Sequence, residues 1–152
     1  MPGQGITAAP ALVLKSIEGK SIDLRNPESK ALLVNFWSTS CSICARELPI
    51  LKQLHLRFSS RDFEIMAIAM PYDDPAEVRR YAVQRAIPFS IAIDIDGSIT
   101  QAFPAVRFTP TTLLIDQSGA VVWRHTGKID PAELIPLIES VMASPALASN
   151  AS

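Results

Sequence analysis

The sequence predicts an α/β domain in which helices pack on a partly parallel sheet. Apolar runs typical of buried strands alternate with helical patterns along the chain, as in parallel β-α units. The last two strand patterns follow each other across a tight turn, which adds an antiparallel part. The chain has 152 residues, 48% of them hydrophobic and 19% charged, which suits a single globular domain.

The predicted elements come from apolar runs, helical spacing and turn residues. In chain order they are a hairpin at 11–24, a buried strand at 31–37, a helix at 41–58, a strand at 63–70, a helix at 74–86, a strand at 89–96, a short helix or turn at 97–103, two strands within 111–125 and a helix at 130–143. Residues 1–10 and 144–152 are small and polar and contain proline, so we expect flexible ends around a domain of residues 11–143.

The strands are predicted from apolar runs that turn residues separate. The hairpin turns at Glu18-Gly19, and the run at 31–37 is apolar almost throughout, as in a strand that is covered on both faces. Pro71 ends the strand at 63–70, and a tight turn at Gln117-Ser118-Gly119 joins the last two strands.

The helices are predicted from side-chain spacing and from their first residues. In residues 41–58 one face carries a stripe of Glu47, Leu51, Leu54 and Phe58. The helices at 74–86 and 130–143 both open with Asp-Pro, in which the aspartate caps the helix and the proline takes its first position.

Charge and hydropathy give no support to several classes of function. The net charge is −1 and no basic or acidic run stands out, which gives no support to nucleic-acid binding. No apolar run approaches the roughly 18–20 residues of a membrane span. Residues 1–10 lack the basic and apolar regions of a signal peptide.

Both cysteines lie within one stretch, at Cys41 and Cys44. A disulfide between such close neighbours adds little stability, so reactivity or metal binding is the better interpretation. The pair follows a buried strand and begins a helix, where α/β sheets place their chemistry. Because the helix N-terminus stabilises a thiolate, Cys41 is the expected nucleophile and Cys44 the resolving thiol.

Metal binding is the main alternative for this pair. A Cys-x-x-Cys sequence is also half of a zinc site, which needs two further ligands. The chain has two histidines, His55 and His125, which are not paired at ligand spacing. We therefore expect no metal site and no cofactor beyond a redox-active disulfide. A copper carrier that uses both cysteines and His125 remains an alternative.

Other residues near the pair leave two interpretations open. Glu47 faces inward, so it is either a proton-transfer group with a raised pKa or an acid favoured by the helix dipole. Pro49 either kinks the helix or marks a later start. Trp37 either lines the site or is a core residue, and core is the default for a lone aromatic in a buried strand. On statistics alone, Thr109-Pro110 is expected to be trans.

Together these residues resemble the thioredoxin superfamily, and in particular its TlpA/ResA-like thiol-disulfide branch. The resemblance covers residues 11–143 and is strongest at "VNFWSTSCSICARELPIL" and "FTPTTLLIDQSGAVVWRHTG". It implies a thioredoxin-like sandwich, in which helices flank a mixed central sheet. The hairpin at 11–24 resembles the N-terminal β element of this branch, and residues 74–96 resemble its central helix-strand insertion.

The resemblance also implies roles for site residues. It makes the two cysteines the redox pair and Glu47 the active-site carboxylate. Pro110 corresponds to a cis-proline that faces the thiols, and Thr109 offers backbone groups to an extended substrate. Trp37 flanks the site.

Four positions depart from the family pattern. Asn35 stands where thioredoxins carry a buried aspartate, so proton transfer would rest on one carboxyl group. Ser40 replaces an aromatic residue before the first cysteine. Ile43 replaces the proline between the cysteines, which bears on the redox potential. Phe108 replaces a small residue and is expected either to narrow the substrate groove or to make it more apolar.

The resemblance implies a thiol-disulfide oxidoreductase that reduces specific protein disulfides in the bacterial periplasm or elsewhere outside the cytoplasm, for example in cytochrome c maturation. A membrane thiol-disulfide donor would reduce it in turn, and the native signal or anchor would be missing from this sequence. We expect a monomer. The alternatives are a non-catalytic binding or metal-carrier module and a thiol peroxidase, although Val34 stands where a peroxidase carries proline.

Overall fold

The computed structural model describes residues 7–58 and 62–144. Within these ranges the elements are β1 (Thr7–Ala8), β2 (Val13–Lys15), β3 (Ser21–Asp23), β4 (Ala31–Trp37), α1 (Ser42–Phe58), β5 (Phe63–Ala69), α2 (Pro75–Gln84), β6 (Ser90–Ile93), α3 (Ser98–Ala102), β7 (Thr111–Asp116), β8 (Ala120–Thr126) and α4 (Pro131–Ala143). No helix in the described ranges is long and apolar enough to cross a membrane.

Six strands form one mixed sheet in the order β1-β8-β7-β4-β5-β6. The strands β4, β5 and β6 run parallel, whereas β7 is antiparallel to β4 and β8 is antiparallel to β7. The predicted hairpin forms a separate two-stranded sheet of β2 and β3. These findings confirm the α/β class and the thioredoxin-like sandwich with a mixed central sheet.

The core consists of two layers, one on each face of the sheet. Alternate residues of β4 supply both layers, which is why its sequence is an apolar run rather than a strict alternation. Leu33 and Trp37 pack with side chains of α1, α2 and α4. Leu32 and Phe36 pack with the hairpin and with the segment that follows α3. The strand that leads to the cysteines is therefore the most enclosed part of the sheet.

The helices begin where the sequence predicts. The side chain of Asp74 accepts the N–H of Ala76 at 3.0 Å, and that of Asp130 accepts the N–H of Ala132 at 3.0 Å. The helix α1 runs from residue 42 through Pro49 without a break, so the alternative of a later helix start is wrong.

Two boundaries differ from the prediction. Residues 7–10 were expected in a flexible segment, but β1 pairs with β8, and the buried Ala9 donates its N–H to the carbonyl of Gly119 at 2.7 Å. The strand β6 ends at Ile93 rather than at residue 96. The buried carboxylate of Asp94 accepts N–H groups from the first turn of α3, which turns the chain early. Ser144, also expected in a flexible end, caps the C-terminus of α4 and donates its N–H to the carbonyl of Val141. The other predicted flexible residues, 1–6 and 145–152, lie outside the described ranges.

Candidate active site

The cysteine pair lies between the end of β4, which is a central strand of the sheet, and the start of α1. Cys41 and Cys44 form a disulfide whose Cα atoms are 5.2 Å apart. Cys44 is buried at 6% exposure, whereas Cys41 is half-buried. Of the two sulfurs, that of Cys41 is therefore the one that another molecule reaches first.

Cys41 caps the N-terminus of α1. Its carbonyl accepts the N–H of Ala45 at 3.1 Å, and its sulfur accepts the N–H of Cys44 at 3.1 Å. The sulfur thus takes the place of a capping oxygen and faces the positive end of the helix. In the reduced protein this arrangement stabilises a thiolate on Cys41.

The loop before β7 lies against the same sulfur. The peptide bond Thr109-Pro110 is cis, as the family resemblance implies and contrary to the expectation from statistics alone. The carbonyl oxygen of Thr109 lies 3.7 Å from the sulfur of Cys41. The carbonyl of Pro110 accepts the N–H of Gly127 at 2.8 Å, which ties the loop to the end of β8.

Glu47 follows Cys44 by three residues on α1 and has no exposed surface. Its Oε1 accepts a hydrogen bond from the side-chain amide of Asn35 at 3.0 Å, and its Oε2 accepts the N–H of Ile129 at 2.8 Å. The same amide nitrogen of Asn35 donates to the hydroxyl of Thr112 at 3.0 Å. One carboxyl group thus joins α1, β4 and the segment before α4.

Burial raises the pKa of Glu47 above the ordinary value of 4.5. The hydrogen bonds from Ile129 and Asn35, and the electrostatic interactions with the nearby side chains of His125 and Lys128, act in the opposite direction and favour the carboxylate. Because the pKa remains raised, the group holds its proton at higher pH than a surface glutamate. That property suits a group that exchanges protons with a thiol.

The two aromatic residues expected at the site occupy different environments. Trp37 is 5% exposed, and its ring lies 5.0 Å from that of Tyr81, so the default interpretation as a core residue describes its side chain. Phe108 is 69% exposed, next to Thr109. Ile43, between the cysteines, is 38% exposed. The surface around Cys41 therefore carries apolar side chains without Trp37.

Sequence reasoning missed one residue near the pair, Asp73. Its carboxylate is buried and accepts hydrogen bonds from Ser38 and Thr39, which precede the first cysteine. The signal in the sequence was a pair of adjacent aspartates at 73–74, of which helix capping uses only the second.

The metal-binding alternative depends on further ligands close to the cysteine pair. Across residues 7–58 and 62–144, no three His, Cys, Asp or Glu side chains lie close enough together to hold a metal ion. The ring of His125, the histidine considered for copper, forms a hydrogen bond through Nε2 with the carbonyl of Lys128 at 2.9 Å.

Comparisons with known proteins agree with this geometry. Residues 6–124 match the model of the AhpC/TSA family. The chain is 36% identical over 115 residues to the thiol-disulfide oxidoreductase ResA of Halalkalibacterium halodurans, covering 76% of this chain and 64% of that protein. It is 30% identical over 133 residues to ResA of Bacillus thuringiensis subsp. konkukian, covering 88% and 76%.

Solved structures show the same fold. The solution structure of a protein described as a thioredoxin of Neisseria meningitidis superimposes with a TM-score of 0.81 at 28% identity, and 91% of each chain is covered. StoA of Bacillus subtilis superimposes with a TM-score of 0.74 at 21% identity, covering 87% of this chain and 99% of that one.

Proposed function

Because this chain belongs to the AhpC/TSA family and is a thiol-disulfide oxidoreductase, we propose that it reduces disulfide bonds of partner proteins outside the cytoplasm. One observation carries this proposal. The sulfur of Cys41 is half-buried at the N-terminus of α1, next to a cis-proline loop, while Cys44 is enclosed behind it.

The reaction is a transfer of two electrons from the dithiol to a substrate disulfide. The thiolate of Cys41 attacks one substrate sulfur, a mixed disulfide forms, and the other substrate sulfur leaves as a thiolate. Cys44 then loses its proton and attacks the sulfur of Cys41. This step closes the Cys41–Cys44 disulfide and releases the second substrate thiolate. A thiol-disulfide donor, which we propose to be a membrane protein, restores the dithiol.

We assign the proton of Cys44 to Glu47. The carboxyl group follows Cys44 by one helical turn on the same helix and has a pKa raised by burial. It accepts the proton as Cys44 attacks and returns it when the dithiol is restored. Asn35 donates to the carboxyl group, which stabilises its charged form during this step.

The substrate is proposed to be an extended protein segment. Pro110 and the carbonyl of Thr109 lie beside the reactive sulfur, and a backbone carbonyl at this position binds the N–H of a peptide. The exposed ring of Phe108 adds apolar surface for side chains that flank the substrate disulfide. Trp37 supports this site from below, since it packs in the same core cluster as Cys44.

The location, partners and cofactor content remain proposals that rest on the family resemblance. The TlpA/ResA-like branch works outside the cytoplasm, in reactions such as cytochrome c maturation. We propose that this protein acts there as a monomer, with the cysteine pair as its redox group and no added cofactor. Labelling of the Cys44→Ser variant, whose Cys41 has no disulfide partner within the chain, with a membrane-impermeant maleimide in intact cells after mild reduction tests the location, because a cytoplasmic protein would stay unlabelled.

The reduction potential of the Cys41–Cys44 pair tests the direction of the reaction. The protein is equilibrated in thiol buffers, trapped with an alkylating agent and weighed by mass spectrometry. A potential near that of thioredoxin, about −270 mV, is expected for a reductant, whereas a value near −120 mV would identify an oxidant. Cys41→Ser is expected to abolish turnover. Cys44→Ser is expected to accumulate the mixed disulfide, and unchanged turnover in Cys41→Ser would contradict the assignment.

A further inference from the structure

The turn after β5 carries a buried carboxylate that the reaction above does not use. Asp73 is 8% exposed. Its Oδ1 accepts the hydroxyl hydrogen of Ser38 at 2.8 Å, and its Oδ2 accepts the N–H of Thr39 at 2.9 Å. Both oxygens therefore bind the short connection, residues 38–40, that leads from β4 to Cys41.

The turn that holds Asp73 is itself attached to the end of β4. The N–H of Met70 donates to the carbonyl of Trp37 at 3.0 Å, and the N–H of Asp73 donates to the carbonyl of Met70 at 3.0 Å. These bonds place the carboxylate at a defined position relative to the last residue of the strand. Asp73 is thus an anchor on the sheet.

Ser38 links the carboxylate of Asp73 to Cys41 through hydrogen bonds. Its hydroxyl oxygen accepts the N–H of Ser40 at 3.2 Å and lies 3.0 Å from the hydroxyl of Ser40. Its carbonyl accepts the N–H of Cys41 at 3.2 Å. The serine that replaces an aromatic residue before the first cysteine therefore belongs to a hydrogen-bonded network centred on Asp73.

A buried carboxylate needs compensation for its lost hydration. In the described part of the chain, the ion pairs involve other acids, and neither Lys nor Arg pairs with Asp73. The hydrogen bonds from the hydroxyl of Ser38 and the N–H of Thr39 replace the hydration that the carboxylate loses. The connection therefore stabilises the buried carboxylate, and the carboxylate holds the connection in place.

We propose that Asp73 is a positioning residue for Cys41, which holds residues 38–40 so that the sulfur stays at the N-terminus of α1 and beside Thr109. The inference rests on the proposed role of Cys41 as nucleophile. Reactions between aligned groups lose about 10²-fold in rate when a group is misplaced by about 1 Å. A loose connection would therefore slow the attack of Cys41 without removing any reacting atom.

The test compares Asp73→Ala with Asp73→Asn and with Asp74→Ala. Asparagine retains one oxygen that can accept the Ser38 hydroxyl, so it should restore part of the function. Asp74→Ala is the matched control, because it removes the N-cap of α2 on the neighbouring residue and leaves the connection intact. Denaturant unfolding of all three variants records their stability.

Turnover is measured with insulin as a protein disulfide and with a small aromatic disulfide. We expect kcat to fall about tenfold or more in Asp73→Ala and less in Asp73→Asn, with KM little changed. Asp74→Ala is expected to keep kcat within about twofold of the parent protein even where it loses stability. Wild-type kcat in Asp73→Ala, or an equal loss in Asp74→Ala, would overturn the proposal.

A second measurement separates this inference from the proposed function, because it needs no enzyme substrate. In a Cys44→Ser background, Cys41 is the single thiol of the chain. Adding Ser38→Ala removes one of the two hydrogen bonds to Asp73 without changing any charge, and the N–H of Thr39 keeps the other. Alkylation of Cys41 at neutral pH is expected to slow about threefold or more, since the thiolate loses its place at the helix N-terminus. An unchanged alkylation rate would contradict the positioning role, whether or not the protein reduces insulin.

Discussion

Replacement of Glu47 by alanine tests how much the buried carboxyl group contributes to the fold. The substitution leaves two buried donors without an acceptor, the N–H of Ile129 and one N–H of Asn35. An unsatisfied buried donor costs about 1–3 kcal/mol, so the two together cost about 2–6 kcal/mol. Loss of the desolvated carboxyl and entry of a water into the space offset part of this. We expect the free energy of unfolding to fall by about 2–4 kcal/mol.

The effect of Glu47→Ala should depend on pH in a defined direction. The pKa of Glu47 is raised in the folded state above the value of 4.5 that applies to the unfolded chain. The folded state therefore binds this proton more tightly, and the stability that Glu47 contributes is fully present below pH 4.5. It declines as the pH rises through the folded-state pKa. The difference in free energy of unfolding between the parent protein and Glu47→Ala should therefore shrink as the pH rises from 4.5 through the folded-state pKa.

The assay is urea unfolding of the oxidised proteins at several pH values, followed by circular dichroism. Glu139→Ala is the control, since Glu139 is exposed on α4 and forms only a long surface pair with Arg57 at 3.7 Å. Its effect is expected to stay within about 0.5 kcal/mol. A loss in Glu47→Ala no larger than that of the control, or a difference that grows with pH, would refute the reasoning.

Three further predictions concern the surface, a turn and the alternative chemistry. Phe108→Ser is expected to raise KM for a protein disulfide and to leave the rate with a small disulfide unchanged. Because Phe108 is exposed, the free energy of unfolding should stay within about 0.5 kcal/mol of the parent value. Equal effects on both substrates would speak against an apolar contact between Phe108 and the substrate protein. Gly119→Ala is expected to lose more than about 2 kcal/mol, because the new Cβ would lie 2.6 Å from the carbonyl oxygen of Arg25. Gly127→Ala should lose only about 1–2 kcal/mol in the same unfolding assay, because φ is +99° but no atom of the described residues lies within 4 Å of the new Cβ. Hydrogen peroxide is expected to be consumed more slowly than a disulfide at equal concentration, and faster consumption would favour a peroxidase.

Local patterns were sufficient for the elements and for part of the site. Apolar runs and Asp-Pro caps depend on neighbours in the chain, so β4, α2 and α4 begin within one residue of the prediction. The helical spacing correctly directed Glu47 inward. The strand-to-helix junction placed the cysteine pair where the structure has it.

The same reasoning could not predict contacts between segments that are far apart in the sequence. The first strand pairs with β8 through backbone groups alone, which leave no side-chain pattern in residues 7–8. The partners of Glu47 come from β4 and from the segment before α4, and the donors to Asp73 come from the far side of α1 in sequence.

The sequence by itself determined the class of the fold, the redox pair and the inward acid, because spacing along a helix and residue type decide these features locally. The family resemblance implied that Pro110 faces the thiols, and the structure places the carbonyl of Thr109 3.7 Å from the sulfur of Cys41. Only the tertiary structure decided that Asp73, rather than Asp74, holds the connection to the nucleophile. Both depend on which strands lie side by side. The order β7-β4-β5 brings together, at one edge of the sheet, the connection after β4, the turn after β5 and the loop before β7. Strand order is a property of the whole fold rather than of any one segment.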